Sequence, residues 1–488
     1  MALRWKHLFN SYLGYRFDQP VTDLGVNYAL IRFPAKLTFE GNYCGAAKII
    51  RLGVLLKLSV STAAFLICYC GAERIAVYVL NRPELVPSLR LASALIVFEA
   101  LFYAAMNSFI GLDRAEYSAL IQLAQASVRS VLAPAFVLLG LGVEGAIFGQ
   151  MLSSLGAGLM GILFLFTKHI RSMGTAKGDS SLEVRTMLGY SLPLYWGTIL
   201  MVFLSEYMKI VLAYFATDLE IGNFNVALNI SLLFNIFSYP IGTTMLAAFS
   251  KVDPQGEGDD FRRLFRLAMK YTSLLVIPLS VSIMLLSGDL VRIIYGKSYT
   301  LAPQYVMMHA ALFLWAGLGY LMVDVFLSGI GDPKSALKIA IVTFAVFTPL
   351  APATTRFWHI PGLVAAFILA NGISVLYGVR KASNRYGVSP DLKDSIRIYL
   401  AALTAALPCI VLIRLGVVNT GMVELVICGT AYMFSYLTLA PMLGAVQQSD
   451  IRNLATILAR NPIAKTLGEP FLKYEARVLS FAALLRKV

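Results

Sequence analysis

Apolar runs long enough to cross a lipid bilayer recur along most of the chain. A membrane helix needs about 20 residues with few or no charges, and about twelve stretches meet that requirement. We therefore predict an all-α, polytopic membrane protein with about 12 transmembrane helices. The predicted spans lie near 52–71, 89–110, 119–140, 143–167, 188–215, 221–248, 267–287, 303–328, 336–352, 362–379, 397–414 and 421–441.

Polar stretches separate these spans into groups. The longest one, KHIRSMGTAKGDSSLEVR from Lys168 to Arg185, is rich in Gly, Ser and Lys and predicts a flexible linker within 168–187. Residues 21–37 look like the end of a membrane helix, inside an N-terminal segment 1–50. The tail 446–488 has helical apolar spacing with basic residues between, which predicts an amphipathic helix on the inner leaflet.

Composition excludes a soluble protein, since 58% of the residues are hydrophobic, 14% are charged and the mean hydropathy is +0.72. The net charge of +14 follows the positive-inside rule, because alternate loops hold about four times as many Lys and Arg as the others. We therefore expect a multi-pass protein of the cell membrane with both termini in the cytoplasm and no nucleic-acid partner. The five cysteines offer neither an external disulfide pair nor metal-ligand spacing, so we predict no metal and no cofactor.

Ionisable residues within the spans are the main functional candidates. A charge at the middle of a bilayer costs a few kcal/mol or more, so it must face protein or water. The candidate cations are Arg32, Lys57, Arg129 and Lys209, and the candidate acids are Glu99, Glu206 and Asp324.

Several of these charges also have a structural interpretation. Lys57 lies one turn into its span, and its amine can extend to the headgroup region. Asp324 is close enough to the inner face to do the same. Glu99 and Arg129 lie deeper and are opposite in sign, so an ion pair between neighbouring helices is an alternative.

The fifth predicted span and the one after it carry a second polar group. Glu206 and Lys209 are three residues apart, on one helical face, and can neutralise each other within that helix. Asn225 and Asn229 share a face of the next span and suit a hydroxyl-rich substrate, although helix–helix adhesion explains them equally well. In the functional interpretation, the cations line a water-filled cavity and a carboxylate binds a proton or sodium ion.

Three passages resemble one family of transporters. They are DLGVNYALIRF at Asp23–Phe33 with the following KIIRLGVLLKL, YSLPLYWGTILMVFLSEYMKIVLAYF at Tyr190–Phe215, and LVRIIYGKSYTLAP at Leu290–Pro303. Their order and spacing resemble the polysaccharide flippases (Wzx-type transporters) of the multidrug/oligosaccharidyl-lipid/polysaccharide (MOP) exporter superfamily. Members have fourteen helices, six in each of two lobes and two at the end. By that comparison the first helix and most of the second are absent here.

The resemblance implies a domain plan and an activity. The first lobe would hold four helices at 51–167, the second lobe six helices at 188–380, and two additional helices would follow at 381–445. The protein would flip a polyprenyl-diphosphate-linked oligosaccharide by alternating access. Arg32, Lys57, Arg129 and Lys209 would attract the diphosphate, while Glu99, Glu206 or Asp324 would couple the cycle to protons or sodium. Its partners would be the lipid-linked substrate, membrane lipids and a glycan polymerase or ligase, and we expect a monomer.

Two other functions compete with this prediction. A drug or organic-cation antiporter of the same superfamily would have a smaller and more acidic cavity. A membrane glycan polymerase or ligase would need a large external loop or an acidic metal-binding motif. The connections between the predicted spans are too short for such a loop, so we predict a transporter and not an enzyme.

Overall fold

The computed structural model describes residues 23–79, 83–174, 180–252, 260–414, 421–458 and 462–485. Every regular element in these ranges is helical, and none of them contains a β-strand. The all-α fold expected from the apolar runs is confirmed. Residues 1–22 of the predicted N-terminal segment lie outside the described residues, as do parts of the predicted linker and tail.

Five helices form the front of the described chain. The first is only 14 residues long, whereas the next four have spanning length. Asn42 caps the second helix, because its side-chain oxygen accepts the Gly45 N–H at 2.9 Å. The helices are α1 (Val26–Phe39), α2 (Tyr43–Arg74), α3 (Val86–Gly111), α4 (Ala115–Phe136) and α5 (Gly142–Phe164).

The next six helices begin with a long antiparallel pair. The acidic turn between its two members is a capping box: Thr217 N–H donates to Glu220 Oε2 at 2.8 Å, and Glu220 N–H donates back to Thr217 Oγ1 at 3.4 Å. The six helices are α6 (Ser180–Phe215), α7 (Asp218–Ser250), α8 (Asp260–Leu285), α9 (Ser287–Ile294), α10 (Ala302–Ala310) and α11 (Val323–Gly329).

The last five helices begin at a proline. Asp332 accepts the Ser335 N–H at 3.2 Å, and Pro333 occupies the first helical position, where its missing N–H costs nothing. The helices are α12 (Pro333–Tyr386), α13 (Leu392–Arg414), α14 (Gly421–Met442), α15 (Gln448–Leu458) and α16 (Pro462–Leu485). The predicted tail helix is thus a pair, α15 and α16.

The number of spans depends on how two bent segments are counted. Ten described helices are long and apolar enough to cross a membrane, and an eleventh span forms if Ala302–Leu318 and Val323–Gly329, bent by 49°, are counted together. The 54 residues of α12 greatly exceed one bilayer thickness at about 1.5 Å per residue. His359, with a φ of 50°, breaks α12 into two halves of spanning length. With that division the described residues contain the twelve predicted spans.

The described chain forms two compact units. The first unit holds the residues up to Phe203 together with the described parts of 242–257 and 324–341. The second unit holds 204–241 and the described parts of 258–323 and 342–488. Helices α6, α7 and α12 therefore contribute to both. These contact-based units cut across the lobes expected from the sequence, which stay a prediction.

In the first unit, the short helix α1 packs against the longer helices at two glycines. A Cβ on Gly25 would lie 2.4 Å from the Ser191 carbonyl oxygen, and Gly25 also has a φ of +72°. A Cβ on Gly111 would lie 2.4 Å from the Leu30 carbonyl oxygen. Only glycine allows such close backbone approach. These contacts fix α1 against α6 and α3.

The core of the second unit is built from aromatic and small residues. Phe234 of α7 stacks on Phe313 with ring centroids 3.6 Å apart. Asn223 of α7 accepts the backbone N–H groups of Leu301 and Ala302 at 3.1 and 2.9 Å. It thereby satisfies donors at the start of α10 that have no partner within their own helix.

A buried ion cluster attaches the tail to the second unit. Lys270 Nζ of α8 lies 2.7 Å from Asp450 Oδ2 of α15 and 3.3 Å from Asp394 of α13. The side chains of Lys270 and Asp450 are only 8% and 2% exposed. Tyr271 Oη donates to the other Asp450 oxygen at 3.2 Å. Three helices that are far apart in the chain therefore depend on one amine.

Removing that amine should destabilise the protein strongly. The substitution K270M leaves the buried Asp450 carboxylate without its cation, which costs about 3–5 kcal/mol for a buried pair, whereas Asp394 keeps Arg397 at 3.6 Å. We expect a clearly lower melting temperature of the purified protein in detergent. The matched control is K473M, because Lys473 pairs with Glu469 at 2.8 Å on the surface, at 68% and 45% exposure. Exposed pairs contribute little, so equal melting temperatures for K270M and K473M would contradict the role given to the cluster.

Glu475 of α16 gives the tail a dependence on pH. Burial, and secondarily the charge of Asp450, raises the pKa of Glu475 to about 7. Tyr436 of α14 also interacts electrostatically with this carboxyl group. A folded-state pKa above the ordinary 4.5 means that the packed tail binds the extra proton. Packing of α16 is therefore strongest at low pH and weakens as the pH rises from 4.5 to about 7.

We expect hydrogen exchange in α16 to report this change. Protection of its amides should be greater at pH 5 than at pH 8, after correction for the intrinsic exchange rate. The variant E475Q keeps the size of the side chain and cannot ionise, so its protection should not depend on pH in this range. A wild-type pH dependence that persists in E475Q would show that another group is responsible.

Candidate functional site

Lys57 forms a buried ion pair in the first unit. Its Nζ atom lies 2.7 Å from Asp23 Oδ1, and the two side chains are 4% and 12% exposed. The amine also donates to Asn27 Oδ1. Lys57 lies in α2, whereas Asp23 and Asn27 come from the start of α1. The charge is therefore compensated inside the protein, and the amine does not extend to the headgroups.

The backbone before α1 places Asp23 at that position. Leu24 and Gly25 both have positive φ values, 46° and 72°, which turn the chain sharply into the helix. The Asp23 carbonyl oxygen then accepts the Val26 N–H at 2.9 Å. A carboxylate at a helix N-terminus is favourable because the helix dipole is positive there. The turn thus presents Asp23 to the amine of Lys57.

A second group of polar side chains connects three neighbouring helices. Gln150 Nε2 of α5 donates to Glu99 Oε1 of α3 at 3.0 Å. Arg129 Nη1 of α4 donates to Gln150 Oε1 at 3.4 Å. The carboxamide of Gln150 can do both because it carries a donor and an acceptor. Glu99 and Arg129 are therefore joined through Gln150.

Tyr103 of α3 lies next to both groups. The Lys57 amine is 5.8 Å from its ring centroid, a cation–π distance. Glu99 and Arg129 both interact electrostatically with the Tyr103 hydroxyl, and Lys57 interacts with Glu99. We call the two hydrogen-bonded groups, without Tyr103, the polar network. It consists of Asp23, Asn27, Lys57, Glu99, Arg129 and Gln150.

Arg129 occupies the exposed end of the polar network. It lies at the middle of the 27-residue span Ala115–Leu141. None of the 18 most apolar consecutive residues of that span is buried by the described part of the protein. Its own side chain is partly exposed. An arginine that faces hydrocarbon at this depth costs at least about 2.5–3.5 kcal/mol. The exposed part of Arg129 is therefore best accommodated in a polar or hydrated space.

Arg32 is held by neutral groups. Its Nε donates to the Gly329 carbonyl oxygen at 2.9 Å, and its guanidinium lies 4.9 Å from the ring centroid of Tyr190. Tyr190 Oη in turn donates to the Ser328 carbonyl oxygen at 2.8 Å. A Cβ on Gly331 would lie 2.2 Å from an Arg32 nitrogen. Arg32 therefore positions the turn between α11 and α12.

Asp324 is an exposed residue in the first turn of α11. Tyr28 of α1, which is 36% exposed, interacts with it electrostatically and hydrogen-bonds to Thr198 of α6. These residues belong to the first unit, as the polar network does. The first unit thus contains two of the three predicted acids, Glu99 and Asp324.

The remaining predicted residues lie in the second unit. Lys209 Nζ and Glu206 Oε1 are 2.6 Å apart, with side chains 32% and 41% exposed. The pair expected from their spacing within one helix is therefore present. Asn225 is partly buried and Asn229 is exposed on α7.

The sequence-based prediction missed several members of these groups. Asp23 and Asn27 were outside every predicted span, and Asp23 lies in the turn before α1, which helical spacing does not describe. Gln150 was missed because an uncharged side chain leaves a span apolar by composition. His309 of α10 was also missed: its Nδ1 lies 2.8 Å from Ser231 Oγ in the second unit. A lone polar residue in a long apolar run is the only signal for Gln150 and His309.

Comparison with known sequences identifies the family. Residues 16–303 match the family described as polysaccharide biosynthesis protein. The probable flippase AglR of Haloferax volcanii is 22% identical over 209 residues, 43% of this chain and 42% of that protein. The probable lipid II flippase MurJ of Bdellovibrio bacteriovorus is 23% identical over 266 residues, 51% of this chain and 50% of that protein. The chain thus spans about half the length of the curated relatives it matches.

Solved structures share the fold. A crystal structure of MATE in the straight conformation has a TM-score of 0.69 and 15% identity, covering 79% of this chain and 88% of that one. A MOP superfamily transporter from Pyrococcus furiosus has a TM-score of 0.63 and 16% identity, covering 79% and 87%. At this identity the similarity concerns the fold. The chain is therefore a multi-pass membrane protein of the polysaccharide biosynthesis protein family, with the fold of MOP superfamily transporters.

Proposed function

We propose that the protein flips a polyprenyl-diphosphate-linked oligosaccharide from the inner to the outer leaflet by alternating access, for the export of a polysaccharide, O-antigen or glycoprotein glycan. Family membership supports this proposal, and so do the curated relatives, both described as probable flippases. The substrate matches what the site offers: cationic and hydrogen-bonding side chains at lipid depth, without a soluble catalytic domain in the described residues.

The position of Arg129 is the observation that carries the proposal. A partly exposed arginine at the middle of a span attracts an anion into the membrane and costs less when the anion is present. A guanidinium also binds phosphate oxygens in a bidentate manner, with hydrogen bonds stronger than those of neutral groups. Arg129 therefore binds the diphosphate of the substrate.

Glu99 couples this binding to an ion. As a carboxylate it holds Gln150, which contacts Arg129, and it attracts the guanidinium electrostatically. When Glu99 binds a proton or sodium ion, that attraction falls and Arg129 interacts more strongly with the diphosphate. The ion gradient thus changes the affinity for substrate through two hydrogen bonds. Asp324, exposed near Tyr28, is the second candidate for ion binding in this unit.

The second unit, taken by itself, has side chains suited to binding a sugar. Asn225 and Asn229 are amides on α7, and amides hydrogen-bond to sugar hydroxyls as donors and acceptors. The Glu206–Lys209 pair adds one acid and one cation, each partly exposed.

The distribution of charge sets the orientation that we propose. The loops richer in Lys and Arg face the cytoplasm, so both termini lie on the cytoplasmic side of the cell membrane. The protein acts as a monomer, within reach of the polymerase or ligase that consumes the exported glycan.

A flipping assay tests the role of Arg129. Vesicles containing the purified protein would carry undecaprenyl diphosphate bearing a fluorescent oligosaccharide, and a membrane-impermeant quencher would report transfer between leaflets. A charge-assisted hydrogen bond contributes about 1.5–3 kcal/mol, so R129Q should slow transfer about tenfold or more. The matched control is R90Q, since Arg90 is 43% exposed and 3.5 Å from Glu73 at the end of its span. It should transfer within about twofold of wild type.

The same vesicles test ion coupling. An imposed proton or sodium gradient should accelerate the wild type, and E99Q should lose most of this acceleration. Normal transfer by R129Q, or equally fast transfer of an uncharged polyprenol-linked sugar, would overturn the proposed mode of binding.

The Lys57–Asp23 pair should behave as a structural part of the polar network. K57M alone leaves Asp23 buried and unpaired, and D23N alone leaves Lys57 unpaired, so each should lower the melting temperature in detergent. The double variant D23N/K57M removes both charges and should recover most of the loss, because neither group then remains uncompensated.

Transport by the double variant separates this role from substrate binding. If Lys57 only stabilises α1, then D23N/K57M should flip lipid at close to the wild-type rate. A double variant that is stable but does not flip would instead place Lys57 among the diphosphate-binding cations.

A further inference from the structure

A pocket of about 590 Å³ lies in the first unit, away from the polar network. Its lining comes from the start of α2 with the loop before it, the residue before α4 and the helical segment 165–173 after α5, including Asn42, Tyr43, Arg114, Lys168 and His169. Two spans begin at Tyr43 and Ala115, and a third ends at Met173. The pocket therefore lies where three spans end on the same side, at the level of the membrane surface.

Two exposed cations line this pocket. The Arg114 side chain is 55% exposed and lies 3.6 Å from Glu116, an exposed pair that exchanges easily with another anion. Lys168 is exposed, with its amine 5.3 Å from the ring centroid of Phe164. Both cations belong to connections between the predicted spans that carry the positive charge bias of the sequence. Their convergence on one concave surface distinguishes them from scattered basic residues of a solvated loop.

Packing holds His169 in place beside these cations. Its ring lies edge-to-face with Phe109 at 5.6 Å and with Tyr117 at 5.3 Å. Phe109 itself is fully buried and stacks on Tyr117. A side chain fixed by aromatic neighbours presents its polar atoms with little loss of entropy on binding.

Contacts across the pocket floor fix the turn after α5. Cys44 Sγ donates to the Met173 carbonyl oxygen at 2.9 Å, and Arg51 Nη2 donates to the Gly174 carbonyl oxygen at 3.4 Å. Gly174 has a φ of +79°, which favours glycine at this turn. The pocket is therefore built from three segments that are already joined without a ligand.

The size and lining of the pocket indicate the class of ligand. About 300–1,000 Å³ is typical of sites for small molecules, so the space exceeds a lone inorganic phosphate. Tyr43, 54% exposed, and nearby Phe39, 67% exposed, are aromatic residues of the kind found at the headgroup level of membranes. Cations, a fixed imidazole and an adjoining apolar rim suit a phosphate ester attached to a small polar group.

We propose that this pocket binds a phosphate ester at the membrane surface, as in the headgroup of an anionic phospholipid. Arg114 and Lys168 contact the phosphate, and His169 contacts the ester or its polar substituent. The site is separate from the polar network and does not depend on the proposed flipping activity. Binding there ties the ends of α2, α4 and α5 to the lipid surface.

Equilibrium binding of fluorescent phosphatidylglycerol to the purified full chain in neutral detergent micelles tests this proposal. We expect the wild type to bind it more tightly than phosphatidylcholine, whose headgroup carries no net charge. The variant R114Q/K168Q should bind at least about tenfold more weakly, since each basic residue near an anionic surface contributes to the binding free energy. The matched control is K334Q/K338Q, which removes two exposed lysines from the first unit, predicted to face the same side. It should bind within about twofold of wild type.

Competition distinguishes the two sources of the phosphate ester. If soluble glycerol 3-phosphate displaces the probe as well as unlabelled phosphatidylglycerol does, the natural ligand is a soluble phosphate ester. If only the lipid displaces it, the ligand is a headgroup. Equal weakening in K334Q/K338Q and R114Q/K168Q would overturn the proposal in favour of a non-specific basic surface, as would unchanged binding by R114Q/K168Q. Matched melting temperatures without lipid exclude misfolding, and none of these outcomes bears on transport.

Discussion

The cost of placing a charge inside the membrane-spanning part of the protein determines much of this structure. A buried ion is stable only beside a counter-ion and further hydrogen-bonding groups. Lys57 meets that requirement with Asp23 and Asn27, and this holds the start of α1 against α2. Lys270 meets it with Asp394 and Asp450, which attaches α15 to α8 and α13. In both cases one amine joins a helix to others that are distant in the chain.

The spans could be predicted from the sequence because the bilayer imposes a length and an apolar composition on each of them. The end of a membrane helix expected at 21–37 corresponds to α1, Val26–Phe39. The break in α12 could not be predicted to the residue. It depends on His359, two residues before Pro361, adopting a φ of 50°, whereas Pro349 and Pro352 in the same helix are accommodated without such a break. Local conformation at a kink is decided by packing, which the apolar pattern does not describe.

Local pairs in the site could be predicted, and distant ones could not. Glu206 and Lys209 share a helical face by spacing alone, and their side chains lie 2.6 Å apart. The Lys57–Asp23 pair joins residues 34 positions apart, and Lys270 and Asp450 are separated by 180. Opposite charge did suggest that Glu99 and Arg129 are neighbours. It did not reveal Gln150, because an amide between an acid and a base leaves no trace in the charge pattern.

Depth in the membrane already distinguished Arg129 from Lys57 in the sequence, and the structure adds the groups that each candidate cation contacts. Lys57 and Lys209 each lie within 2.7 Å of a carboxylate, so an arriving diphosphate would have to displace an existing partner. Arg32 donates a hydrogen bond to the Gly329 carbonyl oxygen, and its guanidinium lies over the ring of Tyr190. These two contacts stabilise the turn at Gly329. Arg129 contacts an amide whose other end is bound to Glu99. In the proposed mechanism, Glu99 binds an ion while its hydrogen bond to Gln150 keeps it near Arg129, so the affinity of Arg129 for phosphate follows the state of Glu99.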